Sequence, residues 1–216
     1  MNSTLNYILD KYKIKLGKEY YIDVPGMHGS ADLAKLFAEL GFSWGVEIGT
    51  DEGIYAEFLA KTIPNLHLDC IDPWKAEAYE PGQQPESGEN QEFFNKRFEA
   101  TTERLSKYPD VSIHRVTSMQ ALKMFPDNSL DFVYIDGNHD FLNVIQDFQG
   151  WLKKVKPGGI ISGHDYVRYP FKKYNHVKNA VQAYARSYHL LPIFAVLHTR
   201  EGLKRDRYRS WFYVKQ

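Results

Sequence analysis

The chain has 216 residues, of which 43% are hydrophobic, 15% aromatic and 25% charged, so one large domain with a sizeable core is expected and wholesale disorder or a fibrous repeat is excluded. Lys plus Arg and Asp plus Glu both number 27, which leaves no global basic field for a polyanion, and nucleic acid is not an expected partner. Cys70 has no partner for an internal disulfide, the opening MNSTLNYILDKYKIK lacks the regions of a secretory signal, and no apolar run approaches the roughly 20 residues of a transmembrane helix, so a cytoplasmic protein without a membrane partner is expected.

In chain order, residues 1–40 read as an N-terminal cap with a first helix, a surface suited to a homodimer contact because Tyr20, Tyr21 and Ile22 show little helical period. Ser30 is positioned to cap a helix over Ala31 to Leu40, where Leu33, Leu36, Phe37 and Leu40 repeat at helical spacing and Gly41 supplies a left-handed stop. Gly45 to Ile48 is a short apolar run ending in Gly49, and Tyr55 to Lys61 resumes helical period, giving strand, glycine turn and helix. A second strand over Leu66 to Ile71 is stopped by Asp72-Pro73, since proline cannot donate to a ladder. From Lys75 to Asn90 the composition turns to Pro, Gly, Gln and Glu, which reads as an exposed loop or lid. A helix over Gln91 to Lys107 is expected to turn Phe93, Phe94, Phe98 and Leu105 inward, before a strand at Val111 to Val116 and an amphipathic Ser118 to Phe125. Asp131 to Ile135 is a buried strand ending at Asp136-Gly137, and Val144, Ile145, Phe148, Trp151 and Leu152 mark the next helix. Lys156-Pro157-Gly158-Gly159 reads as a tight turn into Ile160 to Ser162, whose end carries His164 and Asp165. A Tyr-rich segment leads to a helix around His176 to Tyr188, and strands Ile193 to His198 and Ser210 to Val214 close as an antiparallel hairpin about a charged loop at Gly202.

Strands alternating with helices predict an α/β fold of the doubly wound kind, with a mostly parallel sheet whose ligands bind beyond the strands' carboxyl ends. Those ends carry Gly49, Asp72, Thr117 with Ser118, Asp136, and His164 with Asp165, all small or polar. Val46-Glu47-Ile48-Gly49-Thr50-Asp51-Glu52-Gly53 lacks the middle glycine of the dinucleotide fingerprint, which counts against a nicotinamide-dependent oxidoreductase. Asp51 and Glu52 would repel a pyrophosphate and favour an ammonium or sulfonium group, or they simply complement the dipole at a helix start. Asp72 lies about 20 residues past the glycines, where a carboxylate bonds a ribose in nucleoside-binding α/β folds. A turn-forming Asp before Pro73 is the alternative.

From about Trp44 to the end, these motifs together resemble the class I S-adenosylmethionine-dependent methyltransferases, whose fold is a Rossmann-like, mostly parallel seven-stranded sheet with an antiparallel C-terminal strand. Glu47 to Gly53 matches the family's first motif, Asp72 its ribose acid, Phe132 to Gly137 its fourth-strand motif and Lys156 to Gly159 the turn before its fifth strand. Ile135-Asp136-Gly137-Asn138-His139-Asp140 and Gly159 to Tyr166 are similar to a subgroup of small-molecule O-methyltransferases related to the macrocin-type enzymes and to catechol O-methyltransferase.

The resemblance implies residues 41–216 as the catalytic domain and S-adenosyl-L-methionine as cofactor, with Glu47, Gly49 and Gly53 toward its methionine part, Asp72 on the ribose, Ser118 with Met119 at the adenine rim, Thr50 and Asp136 also binding the cofactor, and Trp74 either stacked on the adenine or in the core. It implies a divalent cation on Asp136 and Asp165, with His164 where relatives are often acidic; an imidazole there suits a transition metal better than Mg²⁺. The acceptor is then a hydroxyl of a small molecule, with His139 as first and His164 as second candidate base, because imidazole titrates near neutral pH. Tyr166, Tyr169, Phe171 and Tyr174 either line an acceptor pocket or pack the final helix, and Arg200, Lys204, Arg205, Arg207 and Arg209 read as a solvated hairpin. An Asn2-Ser3-Thr4 sequon is read as chance. The alternatives are a non-catalytic nucleoside-binding scaffold of the same fold and, less favoured, the oxidoreductase.

Overall fold

Described by a computed structural model, residues 3–76, 90–167, 175–197 and 208–216 form α1 (Ser3–Lys11), β1 (Tyr21–His28), α2 (Gly29–Glu39), β2 (Trp44–Ile48), α3 (Ile54–Thr62), β3 (His67–Ile71), α4 (Gln91–Leu105), β4 (Val111–His114), α5 (Ser118–Ala121), a 3-10 turn (Leu122–Met124), β5 (Leu130–Ile135), α6 (Phe141–Lys154), β6 (Val155–Gly163), α7 (Val177–Ser187), β7 (Ile193–Leu197) and β8 (Trp211–Val214). The strands make one sheet in the order β1-β7-β8-β6-β5-β2-β3-β4. It is parallel except at β8, which runs antiparallel to β6 and β7. The expected α/β class is what the chain adopts.

The expected count of seven strands is one short. Residues 21–28, read as part of a cap, are an eighth strand that pairs parallel with β7 through Tyr21↔Ile193 and Ile22↔Phe194. Ile22, Val24 and Met27 are buried there, and Pro25-Gly26 is tolerated because β1 is an edge where a missing donor breaks no ladder.

Side chains alternate between two apolar layers, as the period of two requires. On β5, Phe132 and Tyr134 join the layer that includes α1, α2 and α3, while Val133 and Ile135 join the layer with α6 and α7; Leu130, ahead of the register shift between the Leu130 and Phe132 pairings, breaks the alternation and joins the latter. Phe37 of α2 stacks on Phe132 with centroids 4.3 Å apart, and that ring lies where a Cβ on Gly45 would come within 2.1 Å of it. Each such fully buried side chain contributes about 1.5 to 3 kcal/mol, so these layers hold the strand ends that form the site.

Several local expectations change. Gly41 ends the α2 segment with φ +69° as expected, but Ser30 is buried within α2, and His28 N–H donates to Asp32 Oδ2 instead. Phe93, Phe94 and Phe98 of α4 are only half-buried, with Thr101 and Leu105 inward; Arg97 and Arg115 lie over the Phe93 and Phe98 rings. The Lys156–Gly159 turn is a bulge inside β6, because the pairing with β5 jumps from Leu130↔Val155 to Phe132↔Ile160 and Gly158 has φ +83°. The β7–β8 pair is antiparallel as expected. Among the described residues, no helix is long and apolar enough to cross a membrane. Asn2, Tyr169, Phe171, Tyr174, Arg200, Lys204, Arg205, Arg207 and most of the 75–90 loop lie outside the described residues.

Candidate functional site

Strand order reverses between β2 and β5, since the chain moves outward through β3 and β4 on one side and through β6 on the other. A crevice opens at such a switch point, beyond the carboxyl ends. Two backbone bonds hold its floor: Gly49 N–H donates to Ile71 O at 2.8 Å, and Asp136 N–H to Ile48 O at 2.8 Å. Gly49 has φ +81°, and a Cβ there would sit 2.1 Å from the Asp136 carbonyl oxygen. The glycine is therefore demanded by the neighbouring strand end.

A cavity of about 370 Å³ fills this crevice and is lined by Gly49, Asp72, Ser118, Met119 and Asp136 among the expected cofactor residues. Glu47, Thr50, Gly53 and Trp74 are not on its wall. Glu47 is buried in the sheet between Cys70 and Tyr134; burial and the Glu47 charge push the Cys70 thiol up. Gly53 has φ +72° and opens α3 against Thr101. Trp74 corrects the stacking expectation: it is 1% exposed, its indole N–H donates to Asp51 O at 2.8 Å, and its ring meets Phe98 edge-on.

Asp72 accepts from Asp51 N–H at 3.0 Å and from Trp74 N–H at 2.7 Å, one bond on each carboxylate oxygen. Each oxygen keeps a lone pair for a hydroxyl donor in the cavity. Burial, opposed by those two backbone bonds, pushes its carboxyl up to about 6. Asp51, the acid of the glycine turn, has φ +52° and is held by Arg97, which also stands 3.9 Å from Glu52. One of the two turn charges is thus offset.

The opposite wall comes from α6, through Asn143, Gln146 and Asp147. Ser118 links that wall to α5: its hydroxyl donates to Asp147 Oδ1 and accepts from Trp151 Nε1 at 2.8 Å. Asp147 is 5% exposed, and burial, opposed by the Ser118 bond, pushes its carboxyl up to about 6. Sequence reasoning missed it because a mid-helix acid reads as solvated, yet Val144, Asp147, Phe148 and Trp151 form one helical stripe, which was the available signal.

Asp136 also belongs to a second group. One ligand atom each from Asp136, His139 and Asp165 lies within 4.8 Å of the others. His139 Nε2 stands 3.1 Å from Asp165 Oδ2 and 3.8 Å from Asp136 Oδ1. His164, expected among the ligands, is 4% exposed, with Nδ1 at 3.1 Å from Asp165 Oδ2 and 3.7 Å from Asp136 Oδ1. Both imidazoles thus approach both carboxylates, His139 through Nε2 and His164 through Nδ1. Burial raises the Asp165 carboxyl, but hydrogen bonds from His139 and His164 and their charge outweigh it and hold Asp165 well below the usual carboxylate range. Asp165 has φ +55°, a conformation that costs a non-glycine residue about 1 to 3 kcal/mol and recurs at functional sites.

Residues 46–166, more than half of the chain, match the methyltransferase-domain family, and the chain belongs to it. An uncharacterized protein, y4gI of Sinorhizobium fredii, is 26% identical over 124 residues; the match spans 56% of this chain and 13% of that protein's length. An O-methyltransferase from Bacillus cereus, solved in complex with S-adenosylhomocysteine, superposes with a TM-score of 0.59 at 18% identity, covering 100% of this chain and 92% of that one. TomG of Streptomyces achromogenes, an O-methyltransferase of tomaymycin synthesis solved with S-adenosylmethionine, gives 0.59 at 16% identity, covering 100% and 91%. An rRNA methylase from Streptococcus thermophilus gives 0.57 at 13% identity, covering 87% and 95%. At these identities the shared property is the fold, and the acceptor has to be read from the site.

Proposed function

We propose that the protein is an S-adenosylmethionine-dependent methyltransferase that moves a methyl group to a hydroxyl of a small molecule at a divalent cation. One observation carries the reading: Asp136 lines the cofactor-sized cavity and is also a member of the Asp136–His139–Asp165 cluster, so donor and acceptor positions meet at one side chain. The cavity volume of about 370 Å³ falls within the range of small-molecule sites. Asp72 fits a ribose through its two spare lone pairs, and Asn143, Gln146 and Ser118 offer polar atoms at the far wall.

The bound cofactor supplies an already activated methyl on a sulfonium, so the chain has to align the acceptor oxygen in line and ease loss of its proton. Two carboxylates and one imidazole are a donor set that suits Mn²⁺, Fe²⁺, Co²⁺ or Zn²⁺, and a cation there would make the hydroxyl more acidic. His164 Nδ1 steadies the Asp165 carboxylate and stands 3.7 Å from Asp136 Oδ1, and the tie of Asp136 N–H to Ile48 O fixes the cluster to the cavity floor. A second reading has its own support: His139 Nε2 at 3.1 Å from Asp165 Oδ2 is the arrangement in which a carboxylate steadies an imidazolium, so that His139 takes the hydroxyl proton itself.

The test is calorimetric titration with S-adenosylhomocysteine and with NAD, on the protein and on Asp72→Ala, followed by an acceptor screen with and without a chelator. Micromolar binding, on the order of −8 kcal/mol, confined to S-adenosylhomocysteine and lost in Asp72→Ala supports the cofactor reading. Turnover abolished by the chelator supports the cation, and turnover that survives it supports His139 as base. No S-adenosylhomocysteine binding would remove the proposal and leave a scaffold of the same fold.

A further inference from the structure

His139 belongs to no helix or strand: β5 ends at Ile135, α6 begins at Phe141, and the loop between them carries the imidazole into the cluster. Its place is set by what holds that loop. The loop is anchored at its start by Asp136 N–H on Ile48 O at 2.8 Å. Within it, Asp140 N–H donates to Asn138 Oδ1 at 2.7 Å, and Asp140 Oδ2 caps α6 by accepting from Leu142 N–H at 3.1 Å. Two further bonds come from His176. Its backbone N–H donates to His139 O at 2.9 Å, and its Nδ1 accepts from Phe141 N–H at 3.2 Å.

His176 stands at the N-cap position of α7, where a side chain ordinarily accepts a bond from its own helix. It makes no such cap bond, and Asn175 Oδ1 accepts from Val177 N–H instead, at 3.0 Å. The His176 side chain is turned to another element, where it takes one of the first-turn donors of α6 that would otherwise lack an intrahelical partner. Asp140 Oδ1, 3.6 Å from His176 Nδ1, is the charged group on the facing element.

We propose that His176 is a positioning residue: it clamps the 138–141 loop from α7 at His139 O and Phe141 N, and thereby fixes the His139 imidazole in the Asp136–His139–Asp165 cluster. The inference rests on that cluster being the acceptor end of the site, and it holds whether His139 serves as ligand or as base. Its role resembles that of groups outside a metal's own ligand set, whose loss lowers metal affinity on the order of 10- to 100-fold.

Co²⁺ alone is the probe, followed by its visible absorption and by calorimetry on the full chain with His176→Ala, His176→Gln and His176→Asn. An asparagine places an amide oxygen where Nδ1 stands, whereas a glutamine places it where Nε2 stands, so the pair separates the bond to Phe141 from mere polarity. Co²⁺ affinity is expected to fall on the order of 10- to 100-fold in His176→Ala and His176→Gln and to return in His176→Asn, with S-adenosylhomocysteine binding unchanged throughout. Equal Co²⁺ affinity in His176→Ala and the unaltered protein, or an asparagine variant no better than the glutamine one, would overturn the proposal. Should the unaltered protein bind no Co²⁺, the cation reading fails separately, and amide exchange at Asp140 and Leu142, whose amides His176 does not touch, decides the clamp. Faster exchange there in His176→Ala that reverts in His176→Asn upholds it, and unchanged exchange refutes it.

Discussion

Three glycines along one stretch of chain separate backbone strain from steric exclusion, and Gly49 combines both. Gly41 has φ +69° and open space within 4 Å of where a Cβ would stand, while Gly45 has no positive φ but would place a Cβ 2.1 Å from the Phe132 ring. Gly49 has φ +81° and would place a Cβ 2.1 Å from the Asp136 carbonyl oxygen and 2.5 Å from its carbon. A left-handed conformation costs an alanine about 1 to 2 kcal/mol, and overpacking of a filled site about 1 to 3 kcal/mol. Gly41→Ala is therefore expected to lose about 1.5 kcal/mol, from the first effect alone, and Gly49→Ala about 3.5 kcal/mol, from both. The roughly 2 kcal/mol between them corresponds to about 4 to 8 °C in melting temperature for a chain of this size. Differential scanning calorimetry of the three alanine variants reads this directly, with Gly45→Ala expected to reflect the steric part. Because the obstacle at Gly49 is backbone, relief requires the β2 and β5 ends to part. S-adenosylhomocysteine affinity is then expected to fall in Gly49→Ala while Gly41→Ala keeps it. Equal melting temperatures for Gly41→Ala and Gly49→Ala would refute the argument that close approach of the two strand ends, rather than φ, makes this glycine necessary.

Asp147, with a folded-state carboxyl near 6 against an ordinary 3.8, binds its proton more tightly in the folded chain, so its stability contribution is complete below pH 3.8 and is lost as pH rises through 6. Asp147→Asn is accordingly expected to raise stability by up to about 3 kcal/mol at pH 8 and by almost nothing at pH 4, and denaturant titrations at both values with equal gains would contradict the buried-acid account. If Asp72 binds ribose hydroxyls as a carboxylate, S-adenosylhomocysteine affinity measured by calorimetry should be flat above its value of about 6 and fall roughly tenfold per unit below it; an affinity that holds to pH 5 would place the ribose elsewhere. Asp136→Ala and Asp165→Ala are expected to abolish methyl transfer and Co²⁺ binding while S-adenosylhomocysteine binding largely survives, and normal turnover in both would end the cation reading.

The strands and most helices could be read from the sequence because each carries its period in a few consecutive residues. Gly45 to Ile48, Asp131 to Ile135 and Ile160 to Ser162 are short, mostly apolar runs followed by a glycine or an aspartate, and all three lie in strands. β1 was not legible for the opposite reason: Pro25-Gly26 breaks its run, and only β7 beside it makes an edge strand there tolerable. Phe93, Phe94 and Phe98 look like core on α4, yet Phe93 and Phe98 lie half-buried under arginine side chains and Phe94 lines the cavity, while Thr101 and Leu105 take the inward positions of α4.

The sequence by itself placed Gly49, Asp72, Ser118, Asp136 and Asp165 at strand ends, since a residue's position after a strand is a local property. It could not say that two histidines from different elements reach the same pair of carboxylates. His164 follows β6 directly and is 4% exposed with Nδ1 3.1 Å from Asp165 Oδ2, while His139, on a loop, brings Nε2 to the same oxygen at 3.1 Å. Nor could it show that Trp74 spends its indole N–H on Asp51 O, or that Asp147 and Ser118 form one wall. Those outcomes depend on residues up to dozens of positions apart meeting at the reversal of strand order, where α7 holds the loop between β5 and α6. Local pattern determines which residues arrive at the crevice, and packing between distant elements determines which way each side chain then points.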